Sequence, residues 1–292
     1  MDNLGNSCFV AAVVRALCAC PSIFRCPPPP TRGNQSQDQS QERRHELRLE
    51  QQAALSRTLS LRTALKTLAI PGHSGSRRAF AELVAYAREA EGGAAAPQDA
   101  HEFFMKLLER CWSESAYGGV LGWKLVCRAC GQAPASPVPS APRDDGMRKE
   151  SYSFFQIPGG STNVDAVWDG SCPELVELID PCVHCGARGV GAGLMSSSVL
   201  RRGTSIAVLK TSYPVSGILR VRVADFVLRA VIQHSGGHYI CSTRGARGGW
   251  TVHDDGVSMV HTGIAEAPDG TVSFGVISVL VYERVLAKTA IR

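Results

Sequence analysis

Residues 3–20 read NLGNSCFVAAVVRALCAC. From Cys8 to Cys20 only Arg15 carries a charge, so the run predicts a helix without a solvent face, buried on most sides. Gly5, Asn6 and Ser7 are turn and N-cap types, which starts that helix at Cys8 or just before it. A helix N-terminus has free N–H groups and partial positive charge. A thiol placed there has its thiolate stabilised, and the same N–H groups can hold an oxyanion. The side-chain amide of Asn3 is a second candidate donor to that oxyanion. The plain alternative makes Cys8 a small buried apolar residue.

Residues 226–241, FVLRAVIQHSGGHYIC, read as a strand, a tight glycine turn and a second strand that begins at His238. A further hairpin across GARGG at 245–249 is expected to bring Asp254 back beside His238. Thiol catalysis needs such a pair: a base that touches the thiol, and a carboxylate that sets the tautomer of the base and stabilises its imidazolium. The plain alternative is a satisfied surface histidine and two turn aspartates at 254 and 255.

Two more patterns carry chemistry. Residues 97–104, PQDAHEFF, open a helix on which Gln98, His101 and Glu102 share a face. Asp99 and Glu102 also suit a cap and a first-turn acid. Cys127-Arg-Ala-Cys130 and Cys182-Val-His-Cys185 are each followed at once by glycine. Two such knuckles predict a closed tetrahedral site of four thiolates for one structural zinc ion. Cys172 and His184 are substitute ligands by type.

The four motifs, in this order, resemble the ubiquitin-specific proteases, a branch of the papain-like cysteine peptidases. The resemblance covers nearly the whole chain, through the closing strand at 276–284. It implies an α+β right-hand architecture: a helical thumb at 1–117 with a mobile insertion at 27–46, zinc-bearing fingers at 118–204 with an insertion at 133–148, and a palm at 205–292, together one catalytic domain. It implies a thiol hydrolase that cleaves after the C-terminal glycine of ubiquitin or a ubiquitin-like modifier. Cys8 maps onto the nucleophile, His238 onto the base, Asp254 onto the third member, Asp255 onto an assisting acid and Asn3 onto the oxyanion donor. Gln98, Asp99, Glu102, Gly237 and Tyr239 map along the substrate, with Asp99 against its basic tail. The fingers would cradle the globular part of ubiquitin. Two departures stand out. Only Ser235, Gly236 and Gly237 separate His234 from His238, so the loop that covers the substrate tail is short. The strand at 205–210 lacks the Arg-Phe that follows it in the family. Both favour a competing reading, a weak or inactive ubiquitin-binding pseudoprotease.

Composition sets the outer bounds. The chain has 292 residues, 44% hydrophobic, with a net charge of +5. That balance is too mild for a dedicated nucleic-acid binder. No apolar run is long enough for a membrane span, and the N-terminus has no basic region of a secretory signal. The expectation is a monomer in cytoplasm or nucleus, with ubiquitin or ubiquitinated proteins as partners, no nucleic acid, no membrane and no organic cofactor. Eleven cysteines, an odd number, in a reducing compartment favour metal and catalysis over disulfides. Helices are expected at Leu47–Leu68, Arg77–Ala90 and Gln98–Trp112, and strands from Gly118 onward. The polar stretch 31–46 reads as an unpacked surface insertion.

Overall fold

The first helix organises the chain. In a computed structural model, α1 spans Cys8–Cys18 and buries Phe9 to Val14, Ala16 and Leu17. It stops short of the expected Cys20 because Pro21 opens a separate 3-10 turn over Pro21–Arg25. The structure describes residues 7–30, 41–90, 99–134, 148–152, 155–157, 174–199, 204–223, 225–255, 257–260 and 264–285. Asn3, Gln98 and Cys172 lie outside them.

Three more helices surround α1: α2 (Gln41–Ala69), α3 (Ser76–Ala90) and α4 (Ala100–Cys111). The insertion expected through residue 46 therefore ends earlier, since α2 already runs from Gln41. Gln, Glu and Arg are good helix formers, so the low apolar content that suggested a loop does not by itself exclude a helix. The helical spacing of Leu47, Leu55, Leu59, Leu65 and Leu68 in the sequence predicts one apolar face for α2, and the observed core face differs from it. Leu61, Leu65 and Leu68 are buried, whereas Leu55 and Leu59 are 38% and 52% exposed.

Strands follow in two sheets. The small one joins β1 (Gly119–Cys127), β2 (Arg148–Tyr152), β4 (Glu174–Leu178) and β5 (Gly189–Val199) in the order β2-β1-β5-β4. The large one contains β3 (Phe155–Ile157), β6 (Ile206–Arg220), β8 (Phe226–Ser235), β9 (His238–Arg244), β10 (Trp250–Asp254), β11 (Val257–Val260) and β12 (Thr271–Arg284), in the order β11-β10-β9-β8-β12-β6-β3. The short β7 (Arg222–Val223) pairs with β8. Helices and antiparallel sheets make the class α+β, as expected. Among the described residues no helix is long and apolar enough to cross a membrane.

The large sheet has a core on each face. On one face Ala230, Ile232, Tyr239, Cys241, Val279 and Val281 pack with α1 and the other helices. On the other, Leu209, Leu228, Val231, Trp250, Phe274 and Tyr282 form a second core. Polar ties join the layers. Glu283, 4% exposed, accepts from the backbone N–H of Ser22 at 2.8 Å and from Arg229 Nε at 2.7 Å. Arg62, 9% exposed, donates to the carbonyls of Cys111 and Cys26, both at 2.8 Å, and lies over the Trp112 ring. Cys111 ends α4, where a cation complements the helix dipole.

Arg62→Met keeps the apolar stem but leaves both carbonyls without their charged donor. We expect a loss of about 2 kcal/mol, read as a lower urea midpoint with an unchanged slope. An unaltered midpoint refutes this role for Arg62.

Candidate active site

Cys8 is the first residue of α1 and is partly exposed. Ser7 makes no side-chain cap. The first turn closes with Ala11 N–H donating to Ser7 O at 3.0 Å, so the amides ahead of Ala11 have no carbonyl in the helix to meet. The neighbouring thiols differ in kind. Burial raises Cys18 and Cys111 each to about 12 and pushes Cys20 and Cys241 up as well. Such thiols are inert packing groups at neutral pH.

α1 packs across β8, β9 and β10, and these three strands carry the rest of the site. Ser235 pairs with His238, leaving Gly236 and Gly237 as a two-residue turn. Their φ values are +59° and +80°, which is why glycine stands at both places. His238 Nε2 lies 2.7 Å from Asp254 Oδ1. The expected return of Asp254 across the 245–249 hairpin is therefore present. Asp254 in turn pairs with Val257, so a second tight turn follows, in which Asp255 has φ +46°. Ligand atoms of His238, Asp254 and Asp255 all lie within 4.8 Å of one another.

Tyr239, next to His238 in sequence, is 8% exposed. It stacks on His234, centroids 4.1 Å apart and planes 8° from parallel. Burial raises its pKa; the Ala100 N–H lowers it, and Asp99 and Cys8 raise it further. One phenol thus lies near the start of α1, the start of α4 and β9.

Asp99 caps α4, accepting from His101 N–H at 2.7 Å. It also accepts from Lys210 Nζ at 3.0 Å. Burial opposes its charge, but Lys210 and the His101 N–H outweigh burial and hold the carboxyl below the usual range. Lys210 was missed in the sequence, although it ends the very strand segment that departs from the family pattern. His101 is buried, and burial, followed by Lys210, lowers its pKa to about 4. Glu102 is exposed and pairs with Lys106, one turn on, at 3.0 Å. His101 and Glu102 thus do not present one common face to a cleft.

The four knuckle cysteines also meet. Cys127 and Cys185 Sγ are 3.6 Å apart, Cys130 and Cys182 Sγ 3.7 Å, and all four lie within 4.8 Å of one another. These are too long for disulfides. The two loops share one backbone pattern: Gly131 N–H donates to Cys127 O at 2.8 Å, and Gly186 N–H to Cys182 O at 2.7 Å. The glycines have φ +70° and +73°. The thiols of the cluster differ: backbone N–H groups of Cys130 and Ala129 lower Cys127 to about 7, while Cys130 is raised and Cys185 is raised to about 12. Four sulfur donors in this arrangement can hold a metal ion. His184 is exposed and outside the cluster.

No family model matches the chain, and no curated protein matches its sequence. Solved structures do. The chain is similar to the SAGA Ubp8/Sgf11/Sus1/Sgf73 DUB module bound to ubiquitin aldehyde, with a TM-score of 0.60 at 14% identity over 99% of this chain and 70% of that one. The module bound to monoubiquitin gives 0.60 at 14%, over 99% and 69%. A yeast SAGA DUB module gives 0.57 at 12%, over 99% and 68%. These structures are assemblies of several proteins, and the expected monomer finds no support in them. Likeness at these identities is one of fold, and function has to be argued from the site. The chain has a ubiquitin-specific protease-like fold, that of the Ubp8 DUB-module structures.

Proposed function

We propose that this chain is a deubiquitinating thiol hydrolase. The observation that carries the reading is the 2.7 Å bond between His238 Nε2 and Asp254 Oδ1, on strands against which the Cys8 helix packs. With Nε2–H donated to the carboxylate, Nδ1 is the free base. His238 Nδ1 takes the Cys8 proton, and the thiolate attacks the carbonyl carbon of the modifier's last glycine. The N–H groups at the start of α1, with the Asn3 amide, stabilise the oxyanion. His238 then protonates the leaving lysine amine. Water, deprotonated by His238, hydrolyses the thioester, which frees the modifier's carboxylate and restores the thiol. Asp254 orients the base, and Asp255 assists. Gln98, Asp99, Glu102, Gly237 and Tyr239 line the substrate. Asp99 would exchange its Lys210 partner for a basic residue of the tail.

In this reading the helical layer is the thumb, the large sheet the palm and the small sheet the fingers. The metal of the fingers is zinc. With Zn–S of about 2.3 Å, a tetrahedron has S···S edges of about 3.8 Å, close to the 3.6 and 3.7 Å contacts of the cluster. Zinc would join β1 to the loop after β4 and add stability of order 10 kcal/mol to this small sheet. It takes no part in the chemistry.

The two-residue turn before His238 favours a second reading, a ubiquitin-binding module of low turnover. An electrophile on the ubiquitin C-terminus separates the two. We expect rapid adduct formation at Cys8, none with Cys8→Ala, and turnover of a ubiquitin C-terminal amide reduced by at least about 100-fold in His238→Ala. Ubiquitin binding without an adduct establishes the passive module instead. For the fingers, metal analysis is expected to find about one zinc per chain, lost in Cys182→Ser together with a lower Tm. A metal-free wild-type chain of unchanged stability removes zinc from the proposal.

A further inference from the structure

His253 stands immediately before Asp254 on β10, and the mechanism above does not use it. Side chains alternate along a strand. His253 is opposite Cys241 on β9, whose side chain belongs to the core shared with α1, so it projects to the helical side. Both ring nitrogens are engaged. Nε2 lies 2.8 Å from Thr243 Oγ1 on β9, and Nδ1 2.8 Å from Ser258 Oγ on β11. One imidazole thus bridges the strand that starts with His238, across its own strand, to the strand that returns from the Asp254–Asp255 turn.

The need for such a bridge follows from where the acid sits. β11 is the edge of the large sheet, and Val257 to Val260 are all exposed. Burial therefore does little to hold that hairpin. Asp254 itself has a side chain 52% exposed. The turn beyond it holds Asp255 at φ +46°, a region costly for a residue with a Cβ. Ladder bonds alone leave an edge hairpin free to fray and twist. Burial, followed by the charge of Arg15, lowers the His253 pKa to about 4, so the ring is neutral near pH 7. A neutral ring has one donor and one acceptor, and each hydroxyl can take either role. Both bonds are satisfied in either tautomer.

We propose that His253 is a positioning residue: held between Thr243 and Ser258, it fixes where Asp254 meets His238. The inference deepens the thiol-hydrolase reading and rests on it for the kinetic consequence, but the positioning itself has a readout that needs no substrate. That readout is the downfield proton NMR resonance of His238 Nε2–H bonded to Asp254, observed in histidine-labelled protein. His253→Phe fills the space without the bonds and should abolish this resonance. It should lower kcat on a ubiquitin C-terminal amide by about 10- to 100-fold, with KM within about twofold. His253→Asn restores a polar end toward Ser258 and His253→Gln one toward Thr243, and each should recover part of both signals. Ser258→Ala, at an exposed site, should weaken the resonance by itself, which decides the matter if the Phe variant does not fold. A Phe variant with an intact resonance and kcat overturns the proposal, as does a wild-type protein without the resonance. Wild-type protein that shows the resonance and its loss in His253→Phe, but neither turnover nor a Cys8 adduct, refutes the hydrolase reading and leaves the positioning role standing.

Discussion

A helix with no polar face has to be covered on every side, and that constraint governs this molecule. α1 places apolar side chains all round its axis, and the only way to bury them is to set the helix between other helices and the face of a sheet. Its N-terminus carries Cys8. The strands it packs across include β9, which begins at His238, and β10, which ends at Asp254. Close packing of the interior transmits position: the depth at which Val10, Val13 and Leu17 seat themselves determines where a thiol at the helix start can stand.

Around this packing, a few charged groups bind the layers at defined points. Lys210 of β6 meets the Asp99 cap of α4. Glu283 of β12 takes up the backbone of the turn after α1. Arg62 of α2 closes the C-terminal end of α4. Glu283 and Arg62 are buried and have their hydrogen bonds made, as groups of that kind must. Asp99 differs: it is more accessible, and its bond to Lys210 is only partly buried.

The small sheet follows another logic. Among the described residues its core contains Cys127, Leu178 and Cys182, with Leu125, Cys130, Ala187 and Ala192 against it. Two knuckles of matching backbone geometry, with their sulfurs turned toward one another, close one end of it, and a metal ion held there would brace the sheet.

Much of this was legible in the order of residues. The buried helix and its start, the glycine turn before His238, the return of Asp254 and the pairing of the two Cys-x-x-Cys loops all depend on neighbours close in sequence, or on a local pattern that admits few backbone paths. The helix over 41–46 was not legible, since that polar stretch has no apolar period to read. What only the tertiary structure decided are meetings between distant segments: Lys210 with Asp99, Arg62 with the end of α4, Tyr239 with Ala100, and His253 with hydroxyls on both flanking strands. Lysine, arginine and histidine are compatible with solvent wherever they stand, so their types say nothing of partners. Partners are chosen by the packing of apolar elements, which brings those side chains within reach only after the chain has folded.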